Sequence, residues 1–150
     1  MRLLEVAGIN FRALEYEVDE NDLSGMHIAH ELNMDPDKMF KTIVAKGEKN
    51  GYLVFCIPVS CEIDLKKAAS CANDKRVELL PVKELLGVTG YIRGGCSPVG
   101  MKKKFPTFID ETCTLYDEIT VSAGVRGCQL ALNPCDLIGF CEAVVCDITA

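Results

Sequence analysis

The sequence lacks the features that mark membrane and secreted proteins. It contains no run of about 18 apolar residues, so no membrane-spanning helix is expected. The N-terminal segment becomes acidic early and has no long apolar core, so we do not expect a signal peptide. Positive charge is also scarce, because 16 lysines and arginines stand against 22 acidic residues, for a net charge of −6. Proteins that coat nucleic acid are usually basic, so any contact with nucleic acid should come from a local patch.

Cys-x-x-Cys spacing is absent, although the chain has nine cysteines. Its absence argues against a zinc ribbon or a thioredoxin-type motif. The number is odd, and most of the cysteines lie in apolar runs, which favours reduced, packed thiols in a cytoplasmic protein. A disulfide framework or a metal cluster is the alternative. His27 and His30 are one helical turn apart, but no further ligand has matching spacing, so no metal site is predicted.

The length and the pattern of elements predict one α+β domain over residues 1–150. No internal repeat, low-complexity tract or linker interrupts the chain. Hairpin signals outnumber βαβ alternation, which favours a mixed, strongly curved, barrel-like β-sheet surrounded by helices.

Several local signals predict individual elements. Residues 40–45 and 52–59 should form a hairpin across Asn50-Gly51, and residues 118–122 and 128–133 a second one. Ser24 and Asp64 should cap helices. Pro81 should open a short helix that closes at Gly87. Strands are predicted at residues 90–93 and 107–110.

The segment from Gly90 to Asp110, GYIRGGCSPVGMKKKFPTFID, has four glycines, two prolines and three consecutive lysines. Glycine lets backbone amides approach a ligand closely, and proline fixes the turn. A turn of this composition followed by cations suits a backbone-lined pocket for a polar, anionic ligand. A tight surface turn with a solvated lysine run is the alternative.

Two further side chains could serve a pocket. Lys41 stands among the apolar residues Met39, Phe40 and Ile43, where partial burial would demand an anionic partner. A solvent-facing lysine on a strand is the alternative. Tyr16, near the end of a predicted strand, is either a half-buried packing residue or a pocket hydroxyl.

Three segments together resemble one family. They are MFKTIVA (39–45), TGYIRGGCSPVGMKKKFPTFID (89–110) and ITVSAGVRGCQLALNPCDL (119–137). In this order and at these separations they closely resemble the YbaK-type aminoacyl-tRNA deacylases, which are similar to the editing domain inserted in bacterial prolyl-tRNA synthetases. The likeness extends over nearly the whole chain, without a synthetase catalytic domain.

The resemblance implies hydrolysis of the ester between a wrong amino acid and the 3′ end of tRNA, above all Cys-tRNA(Pro). In this family the thiol of the cysteine substrate is thought to attack its own ester and to release a cyclic thiolactone. The resemblance therefore implies no cofactor, no metal and no protein nucleophile. The protein would supply positioning and donors for the developing oxyanion.

By position, Lys41 matches the essential lysine of the family, with Thr42 beside it, and Tyr16 matches its pocket tyrosine. The remaining substrate-binding residues that the resemblance implies are Gly94, Gly95, Ser97, Pro98, Ser122, Gly124 and Arg126. Arg93, Lys102 and Lys103 are expected to contact the tRNA backbone through their charge. The chain departs from the family at Ala123, Val125 and Gln129, the last standing where the family has an acidic residue. These departures concern amino-acid specificity more than the class of reaction.

Other functions stay open on the sequence alone. The substrate could carry another small mischarged residue, as in Ala-tRNA(Pro). The chain could instead be a non-catalytic module that binds a nucleotide or prolyl-tRNA synthetase, and a thiol redox or metal protein is a third reading. The expected partner is the acceptor end of mischarged tRNA, in the cytoplasm and away from membranes, with association with prolyl-tRNA synthetase left open.

Overall fold

The computed structural model describes all 150 residues, Met1 to Ala150, and confirms the predicted α+β class. The five α-helices are α1 (Arg2–Val6), α2 (Gly25–Glu31), α3 (Leu65–Cys71), α4 (Val82–Thr89) and α5 (Pro134–Cys141). The eight strands are β1 (Phe11–Glu15), β2 (Phe40–Gly47), β3 (Gly51–Pro58), β4 (Val77–Leu79), β5 (Thr107–Asp110), β6 (Ile119–Ser122), β7 (Cys128–Leu132) and β8 (Val144–Cys146). A 3₁₀ helix (Glu111–Leu115) follows β5. None of the helices combines the length and the apolar character that crossing a bilayer requires.

The strands form two sheets. The larger has five strands in the order β4-β2-β3-β5-β8, and the smaller has three in the order β1-β7-β6. In the larger sheet β2 pairs antiparallel with β3 and β4, whereas β5 pairs parallel with β3 and β8. The smaller sheet is antiparallel throughout. The prediction of mixed pairing is therefore confirmed.

The barrel-like closure expected from the sequence is not supported. Strands β4 and β8 remain the edges of the larger sheet, and β1 and β6 remain the edges of the smaller one. The sheets meet at a parallel bridge between Met39 and Thr120, where the Thr120 amide donates to the Lys38 carbonyl at 2.9 Å. A barrel requires continuous strand pairing around its circumference, and a bridge at one residue pair does not provide it.

Three apolar clusters hold the elements together. The first joins both sheets to α5 and contains Phe40, Leu130 and Leu137. The second packs α3 on the larger sheet, where the rings of Phe55 and Phe108 stack with their centroids 5.3 Å apart. The third, around α2, consists of Ile28, Ala29, Met39 and Val59. Burying these side chains supplies most of the driving force for folding.

Alternation along β6 and β7 gives the smaller sheet two different faces. Val121 and Leu130 point into the first apolar cluster. Ser122 and Gln129 are direct partners in the ladder and therefore share the opposite face. This polar face borders the cavity described below.

Four of the local turn and cap predictions are confirmed. Gly51 has a φ of 73° and pairs with Gly47, which closes the hairpin of β2 and β3. The Ser24 hydroxyl accepts a hydrogen bond from the His27 amide at 3.3 Å and caps α2. The carboxylate of Asp64 accepts two backbone hydrogen bonds at 3.0 Å and caps α3. The second predicted hairpin is β6 and β7.

Two local predictions are wrong. Helix α4 does not close at Gly87 but continues to Thr89, and Gly90, with a φ of 84°, ends it. Residues 90–93 consequently form no strand, and a turn closed by the Gly95 amide and the Ile92 carbonyl follows. The Thr89 hydroxyl explains this path, because it donates to the Leu85 carbonyl at 2.8 Å and accepts from the Tyr91 amide at 3.0 Å. The chain is thus held at the helix end instead of extending.

Candidate active site

A cavity of about 420 Å³ opens where α2, the start of β2 and the loop after α4 approach each other. Segments that are far apart in the sequence contribute to its wall, so only the complete fold assembles it. The lining residues are Leu23, Ser24, Gly25, Met26, Ile28, Met39, Phe40, Lys41, Thr42, Val59, Glu62, Arg93, Gly94, Cys96, Ser122 and Gln129.

Lys41 brings a cation into this cavity. The residue is half-buried, and no carboxylate lies within 4.0 Å of its ammonium group. The anionic partner that partial burial of Lys41 would require is therefore not supplied by the protein. An ammonium group held in this way is available for a phosphate or carbonyl oxygen of a ligand.

The other charges around the cavity leave it electropositive. Besides Lys41, only Arg93 and Glu62 carry charge among the lining residues. Two cations and one carboxylate give a local excess of positive charge on a protein whose net charge is −6. The expectation of a local basic patch agrees with this distribution.

Polar groups of the backbone and of β6 complete the wall. Gly94 has a φ of 85°, a conformation that glycine adopts without strain. The amides of Gly94 and Cys96 donate to no acceptor in the protein, so both can donate to a ligand. Ser122 is buried, and its hydroxyl accepts from the Gly124 amide at 3.2 Å. Thr42 contacts the Cys56 thiol at 3.9 Å.

Two glycine-containing loops interlock beside the cavity. A side chain at Gly95 would lie 3.3 Å from the backbone of Val125 and Arg126. The Arg126 guanidinium donates to the Arg93 carbonyl at 2.8 Å, from one loop to the other. The Tyr91 ring covers Gly124, whose added Cβ would come within 2.9 Å of it. These contacts hold the Gly94 amide in place relative to β6.

Residues 26–140 match the family model for the aminoacyl-tRNA editing domain. The chain belongs to this family. It is also 42% identical, over 99% of its length and 91% of the relative's, to EbsC of Enterococcus faecalis, whose name describes a candidate Cys-tRNA(Pro)/Cys-tRNA(Cys) deacylase.

Solved structures share the fold of this editing domain. One, described as a candidate trans-editing enzyme for prolyl-tRNA synthetase, superposes with a TM-score of 0.86 at 23% identity, covering 99% of this chain and 93% of that one. Another, a hypothetical protein, superposes with a TM-score of 0.90 at 20% identity, covering 99% and 97%. At these identities the likeness establishes the fold alone.

Five of the residues predicted from the sequence line the cavity of the editing domain. They are Arg93, Lys41, Thr42, Gly94 and Ser122. Their roles stay predictions, because the position of a side chain does not by itself establish what it binds.

Six other predicted residues lie behind the wall or beside it. Tyr16 packs against the apolar cluster around α2. The Gly95 amide already donates to the Ile92 carbonyl at 3.0 Å, which leaves the Gly94 amide as the available donor of the pair. Ser97 is fully buried, and its hydroxyl accepts from the Val99 amide at 3.1 Å. Gly124 and Arg126 take part in the contacts between the loops.

The sixth, Pro98, borders a second cavity of about 250 Å³ together with Lys103. Lys102 lies at the surface, and its ammonium group reaches the Gly87 carbonyl at 3.5 Å. Both lysines are exposed and make no ion pair with a carboxylate. They are thus available to an external anion, as the prediction of tRNA contacts requires.

Sequence reasoning missed several residues that line the cavity. Leu23, Met26 and Cys96 contribute apolar surface, and Glu62 the one carboxylate. Gln129 was noted only as a departure from the family. Its pairing with Ser122 in the second hairpin was the available signal, because paired residues share a face of the sheet.

All nine cysteines are free thiols. Burial raises the pKa of Cys96 from an ordinary value of 9.0 to about 11, so this thiol at the cavity stays protonated at neutral pH. Burial likewise raises the pKa of the Cys56 thiol. Protonated thiols are poor nucleophiles. No three side chains of the histidine, cysteine, aspartate or glutamate type lie close enough together to hold a metal ion.

Proposed function

We propose that this chain is a trans-editing aminoacyl-tRNA deacylase that removes cysteine from mischarged Cys-tRNA(Pro). Membership of the editing-domain family and 42% identity to EbsC support the reaction class and the substrate. The observation that carries the proposal is Lys41, a half-buried cation without an internal partner in a cavity bordered by unused backbone amides. Such a cavity suits the aminoacyl ester at the terminal adenosine, because both ester oxygens are acceptors for the donors that the cavity offers.

The reaction needs positioning and charge stabilisation rather than a protein nucleophile. In the proposed step the substrate thiol attacks the ester carbonyl carbon, so that a carbon–sulfur bond forms as the carbon–oxygen bond to the ribose breaks. The proton of the thiol ends on the ribose oxygen, and the amino acid leaves as a thiolactone. The Gly94 and Cys96 amides and Lys41 would stabilise negative charge on the oxygens in the transition state.

The surroundings of the cavity accommodate the rest of the substrate. Arg93, Lys102 and Lys103 would contact phosphates of the acceptor end. Tyr16, Gly95, Ser97, Pro98, Gly124 and Arg126 would support the wall from behind. On this proposal residues 1–150 form one editing domain that needs no cofactor and acts in the cytoplasm, and prolyl-tRNA synthetase is the partner that would deliver its substrate.

The test is a deacylation assay with Cys-tRNA(Pro), Ala-tRNA(Pro) and Pro-tRNA(Pro), using the natural protein and Lys41→Ala. We expect rapid loss of the cysteine ester alone, with a rate reduced roughly a hundredfold or more in Lys41→Ala, as for loss of an oxyanion donor. Lys75→Ala, at an exposed lysine outside the cavity, is the matched control.

Hydrolysis of the alanine ester would contradict thiol-assisted release, because alanine has no thiol, while preserving the deacylase activity. If folded protein hydrolysed none of the esters, the enzyme proposal would be wrong and a binding module would be indicated.

A further inference from the structure

Gln129 on β7 carries a buried oxygen without a hydrogen-bond partner. The residue is only 5% exposed, and its Oε1 atom is buried and accepts no hydrogen bond from the protein. More than nine in ten buried polar groups in folded proteins are paired. An unpaired one therefore calls for an explanation, and a ligand that supplies the missing donor is one.

The hydrogen-bond donor that the Gln129 oxygen lacks would come from the cavity side of the sheet. The residue lines the cavity beside Ser122, its partner in the ladder. The opposite face of β7 is filled by Leu130 and the first apolar cluster. The Gly124 amide, a donor close by, is already bound by the Ser122 hydroxyl at 3.2 Å. Neither the Ser122 nor the Thr120 hydroxyl donates to the Gln129 oxygen, so a molecule bound in the cavity could supply the missing donor.

The charges of the cavity are divided between its walls. Lys41 on β2 and Arg93 on the loop are cations, suited to phosphate and carbonyl oxygens of a substrate. The cavity residues of β6 and β7, Ser122 and Gln129, are uncharged and include acceptor oxygens. An aminoacyl ester has the same division, with acceptor oxygens on one side and a cationic α-ammonium group on the other.

We infer that Gln129 determines specificity by accepting a hydrogen bond from the α-ammonium group of the esterified amino acid. The inference rests on the proposed deacylase function and adds the group on the substrate that is recognised. A neutral amide oxygen can accept a hydrogen bond from an ammonium group without adding negative charge to the cavity. Because no carboxylate stands at position 129, the charges of the nearby cations are not offset there and still attract the phosphates and the developing oxyanion.

The test compares two thiol esters of the same tRNA. One is Cys-tRNA(Pro), and the other is 3-mercaptopropionyl-tRNA(Pro), which keeps the thiol but has no amino group. The natural protein should prefer the cysteine ester by roughly tenfold to a hundredfold in kcat/KM, a range typical of losing a hydrogen bond to a charged group. Gln129→Met, which keeps the volume but removes the acceptor, should reduce kcat/KM for the cysteine ester by roughly tenfold to a hundredfold and leave that for the other ester unchanged.

A stability measurement separates recognition from a structural role. Because Gln129→Met removes an unpaired buried oxygen, its midpoint of urea denaturation should be equal to or higher than that of the natural protein. Gln129→Leu is the second variant in case methionine packs poorly, and Thr114→Met at an exposed surface position is the control.

The outcomes distinguish the two proposals. Equal losses on both esters, or an unchanged preference for cysteine in both Gln129 variants, would overturn the role of Gln129 while leaving the deacylase function intact. If the natural protein hydrolysed neither ester, both proposals would fail together. Loss of the preference with unchanged or raised stability would support the inference.

Discussion

At the scale of single residues, polar groups that the protein leaves unpaired are the strongest guide to function. Lys41 is half-buried without a carboxylate, and the Gly94 amide has no acceptor in the protein. Asp110 shows the opposite case. Asp110, which is 1% exposed, accepts from the Ile148 amide at 3.1 Å and from the hydroxyl and amide of Thr112. Of the three buried side-chain atoms without a partner, the Gln129 oxygen belongs to a residue that lines the cavity, whereas His27 Nε2 and Thr120 Oγ1 do not.

The buried thiols predict how stability depends on pH. Burial raises the pKa of Cys96, Cys113 and Cys141 from an ordinary value of 9.0 to about 11. Between about pH 9 and pH 11 the unfolded chain loses thiol protons that the folded protein keeps. The folded state then binds more protons, so the free energy of unfolding should fall as the pH rises through this range.

Urea denaturation at a series of pH values measures this decline. The double variant Cys96→Ala, Cys141→Ala removes two of the thiols and should show a shallower fall than the natural protein. Lysines, which also titrate in this range, are common to both proteins and cancel in the comparison. Equal slopes would contradict the assignment of the decline to buried thiols.

At the scale of elements, the cavity depends on two loops that fit only because they contain glycine. Gly94 and Gly124 both have positive φ, an added Cβ at Gly95 would meet the backbone of the other loop, and one at Gly124 would meet the Tyr91 ring. Tyr91 also donates its hydroxyl hydrogen bond to the Val99 carbonyl, so one side chain braces both loops. The loops therefore act as one unit that positions the amides.

A pair of glycine substitutions tests this view. At Gly124, where φ is 95°, an added Cβ would lie 2.9 Å from the Tyr91 ring, so Gly124→Ala should destabilise the fold by about 1–3 kcal/mol. At Gly139, within α5, no heavy atom lies within 4 Å of an added Cβ, so Gly139→Ala should stabilise by about 0.5–1 kcal/mol.

Urea denaturation measures both values, and the deacylation assay reports on the cavity. Only Gly124→Ala should reduce activity, because only this glycine lies in the loops beside the cavity. Equal stabilities of the two variants would show that the contact between the loops is not a constraint.

At the scale of the whole molecule, binding of tRNA must overcome an unfavourable net charge. The chain carries a net charge of −6, yet Arg93, Lys102 and Lys103 lie on the loop that separates the two cavities. Four of the 16 lysines and arginines are in ion pairs, among them Lys67 with Asp147 at 3.1 Å and Arg76 with Glu78 at 2.7 Å. Because Arg93, Lys102 and Lys103 are clustered on one loop and unpaired, they would attract an anionic partner to the cavity side of the molecule.

Salt dependence of the reaction tests this arrangement. Each phosphate contact contributes roughly 0.7–0.9 to the slope of the logarithm of affinity against the logarithm of salt concentration. The double variant Lys102→Ala, Lys103→Ala should therefore raise KM and reduce that slope by roughly 1 to 2. Lys75→Ala, Lys83→Ala, at exposed positions away from the loop, is the control of equal charge change. An identical slope for both double variants would contradict the predicted tRNA contacts.

The sequence by itself determined the features that depend on neighbouring residues. Asn50-Gly51 identified the first hairpin, and Ser24 and Asp64 identified two helix starts, because turns and caps need particular residues at particular positions. The three family segments identified the editing domain for a related reason. Each has particular residues at particular positions, and the three occur in a fixed order along the chain.

Only the tertiary structure decided how distant segments meet. It left both sheets open, because β4 and β8 in the larger sheet, like β1 and β6 in the smaller, pair on one side only. It paired the Gly95 amide with the Ile92 carbonyl and left the Gly94 amide without an acceptor. The sequence alone does not distinguish these two adjacent glycines. It also buried Gln129 without a donor. Whether a group is buried and whether it finds a hydrogen-bond partner depend on residues from all parts of the chain, so both are decided only when the chain has folded.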